Sequence, residues 1–349
     1  MGAIRVGLYD DPLFRKHDAG AGHPEGPDRL EAVRRGIWQA GLEPQLRILT
    51  PRPATSAELL RVHTAGHLAL VASTDGRQYR FDADTQAGPQ SYEAALRAAG
   101  AVVDAVDRVL GGTLDRAFCA VRPPGHHALP DRAMGFCLFG NVAVGAAHAL
   151  SRGLKRVLIV DFDVHHGNGT QTMFYGDKRV LYVSSHAWPF YPGTGGLDEV
   201  GEGSGRGFTV NLPLPGVLGD HEYASLYRQI VAPIGRAFDP ELVLVSAGFD
   251  AHRGDPLAGM DLTAAGYAEI MEVCVEMASG AGGGRVVAAL EGGYGLPALA
   301  HSAAAVVRVM LGERPAPLAA STAGTALKMI DGYRRALLPF WPVLGSAQS

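Results

Sequence analysis

Short apolar runs rich in β-branched residues alternate with stretches of helical periodicity, and this alternation narrows the fold more than any other feature of the chain. The runs fall at 4–9, 117–121, 157–160, 180–184, 208–212, 242–246 and 286–290, with helical patterns at 29–40, 91–110, 141–151, 222–238, 264–279 and 298–311. Continuous apolar runs, rather than alternating ones, belong to strands covered on both faces, and the helices between them supply right-handed crossovers. The pattern predicts an α/β fold: one open, mostly parallel sheet of about eight strands with helices on both faces. No Pro/Ser linker interrupts it, so a single domain is expected over 1–349.

Bulk properties exclude several function classes. The chain has 349 residues and a formal net charge of −4, without a basic run, which argues against nucleic acid as a partner. No apolar stretch approaches the roughly 20 residues that a membrane-spanning helix needs. The start, MGAIRVGLYDD, reads as a strand rather than a signal peptide, and three scattered cysteines (Cys119, Cys137, Cys274) make no disulfide framework. A cytoplasmic setting is the expectation.

Chemistry-bearing residues gather just past predicted strands, where ligands bind in open α/β sheets. After 157–160 comes DFDVHHGNGTQ, in which Asp163 and His165 share one face of an extended segment. After 242–246 comes SAGFDAHRGDP, with Asp250. Two carboxylates and one imidazole could hold a divalent cation and leave a position open, although a strand-end Asp alone serves equally as a cap or turn residue. RPPGHHA places His126 and His127 on a stiff loop, as rim histidines or as a general base and acid. Asp161 and Asn168 could each receive a ring N–H. ALEGGYG offers Tyr294 as packing or as an oxyanion donor.

Taken in order, HPEGPDRL (23–30), RPPGHHA, GFC (135–137), DFDVHHGNGTQ, YPGTG (191–195), AGFDAHRGDP and EGGYG resemble the zinc-dependent histone deacetylase and acetylpolyamine amidohydrolase family, from about residue 5 to 312. A C-terminal helix and tail follow to 349. The resemblance implies the arginase-like fold and one Zn2+ per chain on Asp163, His165 and Asp250. It pairs His126 with Asp161 and His127 with Asn168, and makes His127 the general base and then acid, with Tyr294 as oxyanion donor. Many relatives carry a carboxylate where Asn168 stands. The amide is typical of the class II branch and raises the imidazolium pKa less, which suits a His127 that starts neutral. By the same resemblance Gly135, Phe136 and Tyr191 wall a tunnel, Leu257 stands at its rim, and Asp84 meets the substrate backbone. Arg29 lines an internal channel or serves as an ion pair. A structural K+ would lie on Asp161, Asp163, His165, Ser184 and Ser185, where hard oxygen donors suit it.

The substrate implied is an acetylated lysine in a peptide or protein, or a small acetylated amine. Leu257 inclines the choice toward acyl-lysine and away from acetylpolyamines. A binuclear manganese ureohydrolase shares the fold but needs further carboxylates, and His252 stands where one is wanted. A non-catalytic acyl-lysine binder should lack a ligand, the His pair or the Tyr, and all are present. Whether the chain forms a homo-oligomer is left open at this level.

Overall fold

A computed structural model describes residues 3–257, 259–318 and 324–345. Eight parallel strands form the main sheet: β1 (Val6–Tyr9), β2 (Leu46–Leu49), β5 (Arg116–Cys119), β6 (Val157–Asp161), β7 (Val180–Trp188), β8 (Thr209–Pro215), β9 (Leu242–Ala247) and β10 (Val286–Leu290). The pair β3 (Tyr79–Arg80) and β4 (Gln86–Ala87) stands apart as an antiparallel ribbon. In the main sheet the order is β2-β1-β5-β10-β9-β6-β7-β8. The last two strands of the chain therefore slot between β5 and β6. That insertion brings residues near 250 and 290 between those near 126 and 163.

Helices cover both faces, as the fully buried strands require. On one side α4 (Ser91–Leu110) packs on α5 (Asn141–Ser151), with the short α2 (Ser56–Leu59), α3 (Ala65–Ala72) and α6 (Asn168–Phe174) nearby in the chain. On the other, α10 (Leu296–Met310) lies between α1 (Asp28–Gln39) and α9 (Ala264–Met277), and α9 meets α7 (Asp220–Leu226) and α8 (Ala232–Phe238). The C-terminal α11 spans Gly324–Leu337. No helix among the described residues is long and apolar enough to cross a membrane.

All seven predicted strands are present, β10 with the predicted bounds and the others with one or both ends moved by a few residues. The eighth, β2, has no continuous apolar run, because as an edge strand it leaves Arg47 and Ile48 exposed. The single helix predicted over 222–238 is in fact α7 and α8 joined by a π turn, Tyr227–Val231. Pro233 lacks the N–H that would bond the preceding turn, and the ladder widens there.

The opposite edge, β8, is partly covered by the C-terminal segment. Tyr333 donates its hydroxyl to the Pro213 carbonyl (2.6 Å), and the Trp341 indole N–H donates to the Gly207 carbonyl (2.9 Å). The Trp341 ring meets Phe208 edge-on with centroids 5.8 Å apart. Covering an edge removes a template for unwanted pairing. Trp341→Ala should cost roughly 3–5 kcal/mol of stability, by the usual loss for truncating a buried aromatic. A urea unfolding midpoint unchanged by the substitution would contradict this role.

Candidate active site

The strand ends form a level row of polar residues in the heart of the sheet. Across the register, Asp161 of β6 faces Ser184 of β7 on one side and Ser246 of β9 on the other. Beyond this row the backbone holds each carboxylate. Asp163 Oδ1 accepts the His165 N–H (2.9 Å), its Oδ2 accepts the Gly292 N–H (2.8 Å), and Asp250 Oδ1 accepts the Val164 N–H (2.9 Å). His165 Nδ1 then lies 3.1 Å from both Asp163 Oδ1 and Asp250 Oδ2. One ligand atom from each of the three residues falls within 4.8 Å of the others. Gly292 is required here, since a Cβ would overlap the Asp250 carboxylate.

Electrostatics of the three residues suit a cation. Burial and the neighbouring Asp163 push the Asp250 carboxyl up to about 7. Burial also works against the Asp163 charge, but His126 and the His165 bond overcome it and hold that carboxyl below the usual range. His165 is opposed by its own burial, yet hydrogen bonds to Asp163 and Asp250 raise it to about 10. Two buried acids thus share one proton-bearing imidazole, an arrangement in which a divalent ion can replace the proton.

The two adjacent histidines are held in opposite states. His126 Nδ1 is 3.1 Å from Asp161 Oδ2, and despite its burial Asp161 and Asp163 raise it to about 10. His127 Nδ1 is 2.9 Å from Asn168 Oδ1. Burial, and then the neighbouring His126 and His165, push His127 well below its ordinary value. An amide oxygen can only accept, so His127 carries its proton on Nδ1 and presents a bare Nε2. The rings lie with centroids 4.0 Å apart.

Tyr294 stands opposite. Burial keeps its phenol protonated, well above the ordinary value, although Arg29 works the other way. The Arg29 guanidinium lies 4.9 Å from the Tyr294 ring centroid and donates to the Gly293 carbonyl (2.7 Å) and to the Glu291 carbonyl. Of the two roles open to Arg29 in the sequence, the structure shows an ion pair, with Glu25 at 2.9 Å. Glu25 is held in turn by Arg122 through bonds of 2.6 and 2.8 Å.

Phe136, Tyr191, Leu257, Gly135 and Asp84 line one cavity of about 90 Å³ together with His126, His127, His165, Gly292 and Tyr294. Gly135 and Phe136 both have positive φ (56° and 68°) between Met134 and Cys137, whose backbones pair. This is the geometry of a type I′ turn, costly for a phenylalanine and maintained by its surroundings. A Cβ at Gly135 would strike the His127 ring at 2.5 Å. Phe136 is thereby set edge-on to Tyr294, at 6.0 Å between centroids. On the other wall Tyr191 meets His127 edge-on at 5.1 Å, while Phe190 stacks on His165 at 5.4 Å.

A buried polar network ties that wall to the sheet. His186 donates from Nε2 to the Gly195 carbonyl (2.9 Å), so its Nδ1 accepts the Ser184 hydroxyl (2.9 Å). His166 bridges Thr194 and Gln171, at 2.8 and 3.0 Å. Glu199 accepts from the Gly195 and Gly196 N–H groups and from Gln171. Burial lowers His166 to about 3 and His186 to about 4. The Ser185 hydroxyl meets the Tyr227 hydroxyl at 2.9 Å rather than the row.

Sequence reasoning missed Glu291, Glu25, Arg122, Phe190 and Asp255. Glu291 is fully buried and accepts the Gly125 and His126 N–H groups (2.6 and 3.1 Å), anchoring the histidine loop. Its signal was present in EGGYG, where an acid follows a strand like the other two. His252, by contrast, accepts the Gly254 N–H (3.0 Å) and lies outside the carboxylate cluster.

Comparison with known proteins gives a consistent result. Residues 23–310 match the family model described as histone deacetylase domain. The chain is 43% identical over 336 residues to Histone deacetylase 15 of Arabidopsis thaliana, covering 94% of this chain and 60% of that protein. It is 39% identical over 310 residues to a probable deacetylase of Archaeoglobus fulgidus, covering 88% and 86%. It is also 41% identical over 362 residues to the human Polyamine deacetylase HDAC10, covering 99% and 52%. A crystal structure of the HDA15 HD domain superposes with a TM-score of 0.91 at 41% identity, covering 98% of this chain and 97% of that one. The chain spans 53–60% of the length of the three plant relatives it matches.

The raised His165 gives the candidate metal site a measurable property. Uptake of a divalent transition metal near neutral pH should release protons, and affinity should rise with pH until His165 has titrated near 10. Calorimetry in buffers of different ionisation enthalpy checks this; binding without proton release would contradict it.

Proposed function

The chain belongs to the histone deacetylase family, and on that premise we propose that it is a zinc-dependent hydrolase removing acetyl groups from the ε-amine of lysine in peptides or proteins. The observation that carries this reading is the convergence on one cavity of a neutral His127, a protonated Tyr294 and the Asp163–His165–Asp250 cluster. Asp163, His165 and Asp250 would hold the zinc. Their donor set of two buried carboxylates and one imidazole, with mutual repulsion between the acids, fits a divalent ion. When bound, zinc supplies a Lewis acid that polarises the acyl carbonyl and acidifies water in the site.

The remaining steps belong to the chain's own residues. His127 Nε2 accepts a proton from the attacking water, while Asn168 holds the ring through Nδ1. Tyr294 donates its O–H to the developing oxyanion. As the C–N bond breaks, the proton on His127 Nε2 passes to the departing amine. His126 keeps its proton, shared with Asp161, and balances the negative charge of the carboxylates. Phe136 and Tyr191 bracket the aliphatic stem and exclude water.

The same reading gives a structural monovalent cation to Asp161, the Ser184 hydroxyl and the carbonyls of Asp163, His165 and Ser185. Ser184 spends its proton on His186, which leaves its oxygen lone pairs free for such an ion. Acetylpolyamines are the second substrate class, suggested by the printed name of one relative. Leu257 on the cavity wall offers an extended polycation no countercharge, which favours acyl-lysine.

Profiling kcat/KM for acetyl-lysine peptides against acetylated polyamines, with and without a chelator, tests the proposal. Peptides should win, and turnover should vanish without metal; no turnover by the zinc-loaded protein would overturn it. Tyr294→Phe should lower kcat by about 100-fold or more and leave metal binding intact. Asn168→Asp should raise the His127 pKa through the added negative charge. Because His127 acts unprotonated, the acid limb of the kcat/KM profile should then move to higher pH; a limb that stays in place would contradict the base assignment.

A further inference from the structure

Tyr294 reaches the cavity from a turn with two glycines before it and one after, a segment with little stiffness of its own. Its hydroxyl has no hydrogen-bond partner among the described residues, so backbone and ring contacts set its position. The ring is flanked by Arg29 and Phe136. The Gly293–Tyr294 peptide is held from both sides, its carbonyl by Arg29 and its N–H by the carboxylate of the buried Asp255. Asp255 Oδ2 accepts the N–H groups of Tyr294 (2.6 Å) and Gly295 (3.0 Å). Its Oδ1 accepts the Leu257 N–H (3.0 Å). Gly295 presses so closely on this turn that a Cβ would overlap the Gly254 carbonyl. One side chain therefore joins the turn bearing the cavity's rim residue to the turn bearing its phenol.

We propose that Asp255 is a positioning residue for deacetylation: its carboxylate sets the Tyr294 hydroxyl against the substrate oxyanion and fastens Leu257 to the same unit. The assignment rests on the reading of Tyr294 as the oxyanion donor. Asp255 neither lines the cavity nor belongs to the Asp163–His165–Asp250 cluster, so its influence runs through the Tyr294 backbone. Bonds from backbone N–H to a charged, buried acceptor are among the stronger ones; an amide there keeps one neutral oxygen and turns its NH2 toward N–H groups the carboxylate now satisfies, so the grip on Tyr294, Gly295 and Leu257 weakens. The effect should fall on the transition state, where the oxyanion exists, rather than on ground-state binding.

The test is a double-mutant cycle on the zinc-loaded enzyme with an acetyl-lysine peptide. Asp255→Asn should lower kcat on the order of 10- to 100-fold, with KM changed less than about twofold. Added to Tyr294→Phe, it should cost less than about twofold more, because the group it positions is gone. A second readout needs no turnover. In metal-free protein carrying 3-fluorotyrosine, the 19F resonance absent from Tyr294→Phe should shift or broaden in Asp255→Asn while the others stay. Asp255→Glu, which keeps the charge, enters the same cycle should Asp255→Asn fail to fold, and should show the smaller loss. An equal loss in the presence and absence of the phenol, or an unmoved fluorine signal, overturns the assignment. Full activity in Tyr294→Phe would instead overturn the oxyanion role of the phenol.

Discussion

Two carboxylates on neighbouring parallel strands, Asp163 after β6 and Asp250 after β9, are buried against each other, and most of the site answers to that repulsion. Burying like charges together is costly unless positive groups and hydrogen bonds surround them. Backbone N–H groups from Val164, His165 and Gly292 do part of this. His165 and a protonated His126 do more, and the position of His126 depends on Asp161 one register row below. Burial, and then the positive charges of His126 and His165, keep a proton off His127 against the pull of Asp163, since two adjacent imidazoles cannot both be charged at low cost. A base and a cation thus arise from identical side chains four ångströms apart.

Much of the sheet was legible because buried parallel strands advertise themselves as apolar runs, and β10 was read to its exact bounds, Val286–Leu290. β2 was not, since an edge strand can be half polar and still pair. The cluster was legible for a similar reason: Asp163, His165, Asp250 and Tyr294 each lie within a few residues of a predicted strand end. What the sequence hid were partners joined only by folding. Glu25 meets Arg122 across 97 positions, and Glu291 meets Gly125 across 166. Neither acid has local periodicity to mark it. The first pairing follows from β1 lying on one side of β5 and the second from β10 slotting in on the other, a strand order that no local pattern encodes.

Phe136 illustrates a different limit. Its left-handed backbone is unfavourable for an aromatic residue, and nothing in GFC distinguishes such a turn from an ordinary loop. The conformation is legible only with Thr85, whose hydroxyl accepts the Phe136 N–H (3.2 Å), and with His127 packed where a Gly135 Cβ would be. Local preference yields there to the shape of the cavity, as it commonly does at functional sites.

The histidines behind the tunnel wall divide labour with those inside it. His166 and His186 stay neutral to about 3 and 4, against an ordinary value of 6.5, because burial excludes their charged forms. Depressed in the folded state, they leave stability intact above about 6.5, and acid then draws protons preferentially to the unfolded chain. As pH falls from 6.5 toward 4, the wall that carries Phe190 and Tyr191 therefore keeps its bonding pattern while these two histidines withdraw their share of the fold's stability. Acid threatens this wall through cooperative unfolding rather than gradual loosening, so its shape and the protein's survival have a common limit.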